Sequence, residues 1–554
     1  MKACIVSLNA KYVHLAPAPY ALGAGVLAFA KHPHEVVPVP WVVGRDTAEL
    51  LSLVAGMKPD LVAFSVYIWN VVEIKRLLPR VRALLPGVPI LLGGPEVSYR
   101  IEQAFSEMPE CDYILSGEGE EPFARLLDAL TAGKSASDVP GCAYRTKEGV
   151  FVPEPFVGKG TPPSPLDFGY AETLHGRIAY LEGSRGCPFS CAFCLSGRAG
   201  GVRYFDIVRV KRDILRLANA KTRTVKFVDR TFNADRVRAR ELWGFIMEKR
   251  ATGDIPAGVC FHFEIAGELL DEESFSLLAG APRGLFQMEI GLQSFHAQTL
   301  RAIHRPPVTE RLTENIRRLV CMGNIHIHID LIAGLPKEDL ATFRAGFDRA
   351  FALGAHMLQL GFLKLLHGAP MREKSDEYPC QYASEPPYQV SQTPLLSSDD
   401  LYEISLCEEG CERLYNSGKY RHAVNECLQF GGSPFDLLRD AGRALLALPK
   451  PYTMGDEVAC LYAFFTVRLP AERVRDLLLL DILCHNPSCY IPAVLRREDS
   501  ALAALRRRVD GEHPRRAVVR RAYGILYTEN AAVWVDYDTP DPVTGEYGIE
   551  TIYL

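Results

Sequence analysis

Short apolar runs alternate with longer helical stretches over the first 140 residues. Ala3 to Leu8, Glu35 to Pro40, Leu61 to Val66, Ile90 to Gly94 and Tyr113 to Gly117 read as strands. Tyr20 to Ala30, Val71 to Leu85 and Glu120 to Leu130 read as helices, the first of them small and apolar throughout, the second carrying Pro79. Alternation of this kind predicts a doubly wound parallel sheet. Ligands of such sheets sit beyond the carboxyl ends of the strands, which directs attention to the loops that start at Asn9, Tyr67, Gly93 and Gly117.

A proline-rich stretch follows, with Pro153, Pro155, Pro162, Pro163 and Pro165, and then the alternation resumes. Strands are predicted at Ile178 to Leu181, Val225 to Val228, Cys260 to Phe263, Phe286 to Ile290, Ile325 to Leu331 and Met357 to Leu363. Helices such as Glu310 to Met322 and Ala341 to Leu353 separate them. Six βα units fit a partial barrel better than a closed eight-unit one, and barrels carry their chemistry at the carboxyl ends of the strands. Those ends are polar here: Asp229, Glu264, Gln293 with Ser294, and Asp330. Past residue 376, Leu401 to Tyr415, Pro434 to Leu446 and Ala471 to Leu483 have apolar residues at helical spacing. The expected fold is therefore α/β in three parts. A Rossmann-like domain covers 1–140, a proline-rich linker 141–172, a partial (β/α)6 TIM barrel 173–375, and a mostly helical domain 376–554.

Composition narrows the function classes. The chain has 554 residues, 48% of them hydrophobic, so large cores are within reach. A net charge of -5 gives no overall pull toward nucleic acid or anionic membrane. The stretch Arg496 to Arg521 holds nine Arg against four acidic residues and would suit RNA, although a solvated helix face explains it as well. Fifteen cysteines without a disulfide-framework spacing fit a reducing compartment. No run approaches 18 uninterrupted apolar residues, and the first residues do not form a signal peptide. The expectation is a soluble, cytoplasmic enzyme without a membrane partner.

The chemistry concentrates at Gly183-Ser184-Arg185-Gly186-Cys187-Pro188-Phe189-Ser190-Cys191-Ala192-Phe193-Cys194. The spacing is C-x3-C-x2-C, directly after the first barrel strand. Three thiolates can hold three corners of a [4Fe-4S] cube and leave the fourth iron open, whereas electron-transfer clusters normally take four cysteines. Chance would give this spacing in roughly one chain in a hundred of this cysteine content. Zinc sites favour C-x2-C pairs in two separated halves, which this motif is not.

This motif resembles the radical S-adenosylmethionine (SAM) superfamily. There the open iron chelates SAM, and one electron cleaves it to a 5'-deoxyadenosyl radical. Glu289-Ile290-Gly291-Leu292-Gln293-Ser294 is similar to the superfamily's Gly-x-Gln-Ser element, and Gly334-Leu335-Pro336 to its Gly-x-Pro element. The resemblance implies that Glu264, Gln293 and Arg305 contact SAM, with Phe193, Asp229 and Leu335 beside them.

The N-terminal loops carry a second resemblance, to the cobalamin-binding domain found ahead of many radical SAM cores. It rests on Lys58 to Ser65, Leu92-Gly93-Gly94-Pro95-Glu96 and Gly117-Glu118-Gly119-Glu120. It implies that Ser65 meets the cobalamin tail and that Gly93 and Gly94 let the backbone approach it. Pro95, Glu96, Gly117 and Glu118 are expected nearby. The Asp-x-His-x-x-Gly motif of cobalt-ligating domains is absent. Its place is taken by Asn9-Ala10-Lys11-Tyr12-Val13-His14, so His14 is the one candidate cobalt ligand of that loop, with Tyr12 close by. The alternative is an aromatic or apolar cover over cobalt from Tyr67, Ile68 and Trp69.

Taken together, the resemblances imply a cobalamin-dependent radical SAM enzyme, most simply a methyltransferase at an unactivated carbon. It would need an external low-potential electron donor and take a small-molecule substrate, with RNA left open. Radical rearrangement or cyclisation is an alternative on the same architecture. A methylthiotransferase would need a second cluster, for which only Cys4, Cys111 and Cys142 are present near the N-terminus. A cobalamin or redox sensor is the non-enzyme alternative. The C-terminal part resembles an uncharacterised domain attached to some proteins of this kind. Its Cys407 and Cys411 share a helix face, where packing competes with metal binding.

Overall fold

A computed structural model describes residues 1–497, 500–512 and 519–553. It divides into two compact units, one of Met1–Ile265, Ile303–Arg305 and Lys364–Val390, the other of Ala266–Ala302, Pro306–Leu363 and Ser391–Leu554.

The first unit begins with a seven-stranded sheet. Its strands are β1 (Lys2–Asn9), β2 (Glu35–Val42), β3 (Leu61–Ser65), β4 (Ile90–Gly93), β5 (Tyr113–Leu115), β6 (Cys142–Arg145) and β7 (Val150–Phe151), in the order β2-β1-β3-β4-β5-β6-β7. The first five are parallel, with Ala3 opposite Leu61 and Val62 opposite Ile90. The last two add antiparallel. Residues 142–151 are therefore sheet, and the fold runs past the boundary expected at 140 into the stretch expected to be linker. The helices are α1 (Ala18–Phe29), α2 (Thr47–Gly56), α3 (Val71–Leu84), α4 (Pro95–Ser98), α5 (Ile101–Glu107) and α6 (Glu120–Thr131).

The strands are buried on both faces, and their alternate residues feed two separate cores. Cys4, Val6, Leu8, Val62 and Phe64 pack with Leu50, Val54, Ile74 and Leu78 of α2 and α3. Ala3, Ile5, Leu61 and Ala63 pack with Val26, Phe123 and Leu127 of α1 and α6. This explains why the strands read as continuous apolar runs. The small residues of α1 have a local reason: a Cβ at Gly25 would collide with the backbone carbonyl of Glu120 at the start of α6.

The same unit carries three parallel barrel strands, β8 (Ala179–Leu181), β11 (Thr224–Phe227) and β12 (Cys260–Ile265), with β11 in the middle. Between β8 and β11 come the hairpin β9 (Ser184–Cys187) and β10 (Gly201–Tyr204) and helix α7 (Ile207–Ala218); α8 (Arg236–Ala251) precedes β12. The barrel strands are tied to the N-terminal sheet. His14 bridges Ile178, the Tyr170 hydroxyl donates to the Leu15 carbonyl, and the Tyr180 amide donates to the Tyr170 hydroxyl.

The second unit contributes α9 (Glu272–Ala279), β13 (Phe286–Gln293), α10 (Ala297–Ala302), α11 (Glu310–Met322), β14 (His326–Ala333), α12 (Leu340–Phe351) and β15 (Met357–Phe362). Its three strands are parallel, with β14 central. All six strands predicted for the barrel are present. Beyond them, α-helices at Ser398–Gly410, Arg421–Gln429, Pro434–Leu446, Met454–Thr466 and Ala471–His485 match the helical reading of the C-terminal part. The first and third cross closely at Gly410 and Gly442, where a Cβ on either would strike the other helix's backbone. An antiparallel sheet of Arg521–Leu526, Ala531–Asp536 and Ile549–Tyr553 follows, which the sequence reading missed. The arginine-rich stretch lies partly outside the described residues. In its described part Arg521 is buried and paired with Asp536 and Asp510, a structural use of that charge. Among the described residues no helix is long and apolar enough to cross a membrane.

Candidate functional site

The cysteine run starts on a hairpin and ends in a loop. Cys187 closes β9 opposite Gly201 of β10, and Gly186 must be glycine because a Cβ there would strike the Gly201 carbonyl. Cys191 is buried, while Cys187 and Cys194 are half-buried. Each sulfur has a polar neighbour. The Ser196 amide donates to Cys194 Sγ at 3.4 Å, the Thr231 hydroxyl lies 3.5 Å from Cys187 Sγ, and Arg305 Nη1 donates to Cys191 Sγ at 3.6 Å. Burial pushes the Cys191 thiol up, and the Arg305 guanidinium opposes that shift. Among the described residues no three His, Cys, Asp or Glu side chains converge on a single ion. The three thiols thus do not form the closed set that a lone zinc needs. Sulfurs that accept hydrogen bonds and are spread over one loop suit a polynuclear cluster, whose iron–sulfur corners stand apart.

Asp229, at the end of β11, braces this loop. It accepts the Gly183 amide at 2.8 Å and the Ser184 hydroxyl at 2.5 Å. Burial raises its carboxyl to about 6, although both hydrogen bonds pull it down. Asp229 therefore holds the strand that leads to Cys187.

A cavity of about 850 Å³ opens within this same unit. One wall is the carboxyl end of the sheet, with Ser65, Gly93, Gly94, Pro95, Leu115 and Gly117. A second is α1, through Ala21 and Leu22. A third is the approach to the cysteine loop, with Leu181, Ser184, Arg185, Gly186, Leu195 and Ser196. Ile5, Ala63 and Leu91 lie at its floor, so the cavity runs down between sheet and helix. Two glycines shape the rim. Gly94 has φ +113 and Gly117 φ +88, and a Cβ would meet the Val66 carbonyl at the first and the Phe156 carbonyl at the second. Gly94 is thus demanded by the backbone of the protein itself. Only Gly93, where a Cβ would find no atom closer than 3.8 Å, leaves room for a ligand. The Ser65 hydroxyl is buried and has no hydrogen-bond partner among the described residues. An orphaned buried hydroxyl costs about 1–3 kcal/mol, so its presence fits a ligand that satisfies it.

Arg185, Glu118, Glu120 and Glu182 of the cavity wall form one charge cluster with Arg203. Arg185 donates to Glu118 at 2.5 Å, to Glu120 at 2.6 Å and to Glu182 at 2.8 and 2.9 Å. Arg203 donates to both oxygens of Glu118, at 2.8 and 2.6 Å. Glu118 is therefore committed to two guanidinium groups while it lines the cavity wall. Burial pushes the Glu120 carboxyl up, and Arg185 more than reverses this, so the net shift is downward. The cluster joins the loop after β5 to the strand that leads into Cys187. Sequence reading passed over Arg185 and Arg203 because the partners that tie them to the loop after β5 lie 65 to 85 residues away.

Other expected contacts lie elsewhere. His14 is off the cavity wall. Its Nδ1 lies 2.6 Å from the Tyr180 hydroxyl in a hydrogen bond, and burial, with Lys11 and Lys226, lowers its pKa. Tyr12 is 64% exposed under the guanidinium of Arg177. Tyr67 does line the cavity. Trp69 stacks on it at 4.4 Å from the outside and donates its indole N–H to the Leu8 carbonyl. Glu96 is buried away from the wall, paired with Arg100 and hydrogen-bonded to the Tyr388 hydroxyl. Tyr12, His14, Trp69 and Glu96 thus do not line this cavity. Ser65, Tyr67, Gly93, Gly94, Pro95 and Gly117 stand on one wall.

Of the expected SAM residues, Phe193 is half-buried in the cysteine loop, and Glu264 ends β12 within 3.8 Å of Arg230 and 3.9 Å of Lys226. In the second unit, β13 and β14 slip register between Gly291 and Gln293, and Gln293 takes a left-handed φ of +66. Its Oε1 is buried without a partner among the described residues, and strain with an orphaned acceptor is a mark of binding sites. Ser294 Oγ donates to Glu338 at 2.5 Å, and burial raises the Glu338 carboxyl to about 7. Leu335 is wholly buried.

The cysteines of the competing readings are core residues. Cys4 and Cys111 belong to the core on one face of the sheet and Cys142 to the core on the other, so they cannot share a cluster. That removes the methylthiotransferase reading. Cys407 and Cys411 are buried, and Cys411 donates to the Leu358 carbonyl at 3.4 Å.

Comparison with known proteins agrees with this geometry. The B12 binding domain model matches residues 24–127, the radical SAM superfamily model 181–349, and a model for a protein of unknown function, DUF4080, 376–506. The chain joins a B12-binding domain to a radical SAM domain. It is similar to the 2-(S-pantetheinyl)-carbapenam-3-carboxylate methyltransferase of Streptantibioticus cattleyicolor, 28% identical over 344 residues, 56% of this chain. The match takes in 49% of that relative, so this chain spans about half its length. The fold is shared with the methyltransferase TsrM of Kitasatospora setae, solved with cobalamin and a [4Fe-4S] cluster. Identity there is 21%, the TM-score 0.57, and the coverage 69% of this chain and 76% of that one. It is shared more widely with OxsB, a cobalamin-dependent SAM radical enzyme solved with aqua-cobalamin and SAM. The TM-score is 0.59 at 14% identity, over 86% of this chain and 78% of that one.

Proposed function

We propose that this chain is a cobalamin-dependent radical SAM methyltransferase acting on an unactivated carbon of a small molecule. The observation that carries the reading is the single cavity walled by both the cobalamin-type strand ends and the approach to the cysteine loop. When bound, the [4Fe-4S] cluster and SAM supply a carbon-centred oxidant and cobalamin supplies the methyl group. The protein's part is alignment and exclusion of water. Cys187, Cys191 and Cys194 would hold the cluster, Phe193, Asp229 and Glu264 would stand beside SAM, and Ser65, Tyr67, Gly93, Gly94, Pro95, Gly117 and Glu118 would surround cobalamin. The salt-bridge cluster of Arg185 fixes the distance between the two walls. Phe156, Pro162, Pro163 and Pro165 line the same cavity with apolar surface that keeps solvent from reactive species. An external low-potential donor provides the electron.

The test is incubation of the anaerobically reconstituted protein with methyl-labelled SAM, a low-potential reductant and candidate substrates. Methyl transfer gives S-adenosylhomocysteine and 5'-deoxyadenosine in comparable amounts, with a labelled product. Deoxyadenosine alone, from a substrate that turns over and gains no label, rules methyl transfer out in favour of rearrangement or cyclisation.

The placement of His14 yields a second expectation. Its Nδ1 is engaged by Tyr180 and it lies off the cavity wall, so cobalamin is expected to bind without His14 as a ligand. Electron paramagnetic resonance of the Co(II) form should be the same in wild type and His14→Ala. Nitrogen splitting that disappears in the variant would show that the β1–α1 loop rearranges to ligate cobalt.

A further inference from the structure

Residues 303–305 are stitched to the cysteine loop. Ile303 follows α10, is fully buried, and accepts the Ala192 amide on its carbonyl at 3.0 Å. The next residue, His304, adopts a left-handed φ of +57, a conformation a non-glycine side chain takes only where the surroundings impose it. That turn delivers Arg305, whose Nη1 lies 3.6 Å from the sulfur of Cys191. Cys191 is the most deeply buried of the three cysteines, at 6% exposure. A backbone bond, a strained turn and a guanidinium thus converge on one sulfur of the triad.

We infer that Arg305 sets the reduction potential of the cluster held by Cys187, Cys191 and Cys194, acting as a positioning residue through the Cys191 sulfur, and that it is not a ligand of the SAM carboxylate. The inference rests on the cluster reading above. Three thiolates on a cube leave it negatively charged, and one-electron reduction adds a further negative charge. A cation that donates a hydrogen bond to a cluster sulfur stabilises the reduced form more than the oxidised one and raises the potential. Arg cannot lose its proton in a protein, so this bias holds at every working pH. Burial of Cys191 limits screening by salt.

The test uses the full chain, reconstituted anaerobically with iron and sulfide and assayed for iron content first. The cluster is then titrated without SAM, dithionite supplying one electron per cluster through redox mediators, and the reduced form is counted by electron paramagnetic resonance. In Arg305→Met the reduced-to-oxidised ratio at a fixed poise should fall about tenfold, a shift of about 59 mV for one electron. Arg305→Lys keeps the charge without the planar fork and should fall between, which preserves the test if the Met variant misfolds. Arg301→Met, which removes an exposed charge from α10, should leave the potential unchanged. A potential in both Arg305 variants equal to wild type overturns the inference, and loss of SAM binding at that unchanged potential returns Arg305 to the SAM carboxylate. A wild-type protein that takes up no iron overturns the cluster reading itself, an outcome distinct from an unchanged potential.

Discussion

Replacing Cys187, Cys191 and Cys194 together by Ala should abolish both the visible absorption of the iron–sulfur cluster and the cleavage of SAM, with the protein still folded. The expectation follows from where the three side chains stand. Cys187 at the end of β9 and Cys194 in the following loop are half-buried, and only Cys191 packs inside, so the substitutions remove little apolar contact. The braces of the loop are untouched. Asp229 still accepts from Gly183 and Ser184, and the Ala192 amide still donates to Ile303. Circular dichroism and the unfolding midpoint should therefore stay near wild type while iron content falls to background. Cys407→Ala and Cys411→Ala supply the contrast. Both thiols are core atoms, at 0% and 1% exposure, so these variants should lose stability and keep their iron. Full SAM cleavage by the triple variant would show that the cluster is held elsewhere.

That contrast reflects what a sequence discloses. The C-x3-C-x2-C spacing lies within eight residues and announces its chemistry without any fold. The strands of the N-terminal sheet were legible for a related reason. Each is short and buried on both faces, as the separate cores of Val6 and Ile5 show, so it stands out as an unbroken apolar run between helical stretches. Strands β6 and β7 were not legible. Cys142–Arg145 is four residues long and earns its place only by pairing with β5, and Val150–Phe151 is shorter still. The C-terminal sheet was missed because Arg521 and Gly524 interrupt the apolar run of Arg521–Leu526, and the buried Arg521 has its place only through pairing with Asp536 on the next strand.

The cavity was half legible. Ser65, Gly93 and Gly117 fall on its wall because the position of a strand end follows from the strand. Tyr12 and His14 were placed by the same logic after β1, but their loop turns away to bridge Ile178 and bond Tyr180. Glu96 sits one residue past Pro95 yet faces inward to Arg100 and Tyr388, a direction set by the first turn of α4. Glu118 and Glu120 lie 67 and 65 residues from Arg185 and share no local pattern with it, which hid the charged cluster they form.

Arg185→Met should be among the most damaging single substitutions in the first unit. The guanidinium holds Glu118, Glu120 and Glu182, whose side chains are 17%, 9% and 33% exposed, and is itself 23% exposed. Removing it leaves three carboxylates at a cavity wall, with Arg203 paired only to Glu118. Loss of one partner from a buried pair costs about 3–5 kcal/mol, and partial exposure of this cluster points to the lower end, roughly 3 kcal/mol. Urea unfolding at neutral pH should show the drop. The pH dependence gives a sharper check. The folded pKa of Glu120 is depressed, so its pairing contributes stability that is present above the ordinary Glu value of about 4.3 and lost as pH falls through the folded pKa. In the variant that contribution is gone. The stability gap between wild type and Arg185→Met should therefore be widest near neutrality and close as the pH falls below about 4.3. Adding Glu120→Gln to Arg185→Met should recover part of the loss at neutral pH, because it removes the most buried unpaired charge. A gap that stays constant from pH 7 to pH 3, with no recovery in the double variant, would mean that Arg185 acts through packing against Phe205 and not through its carboxylates.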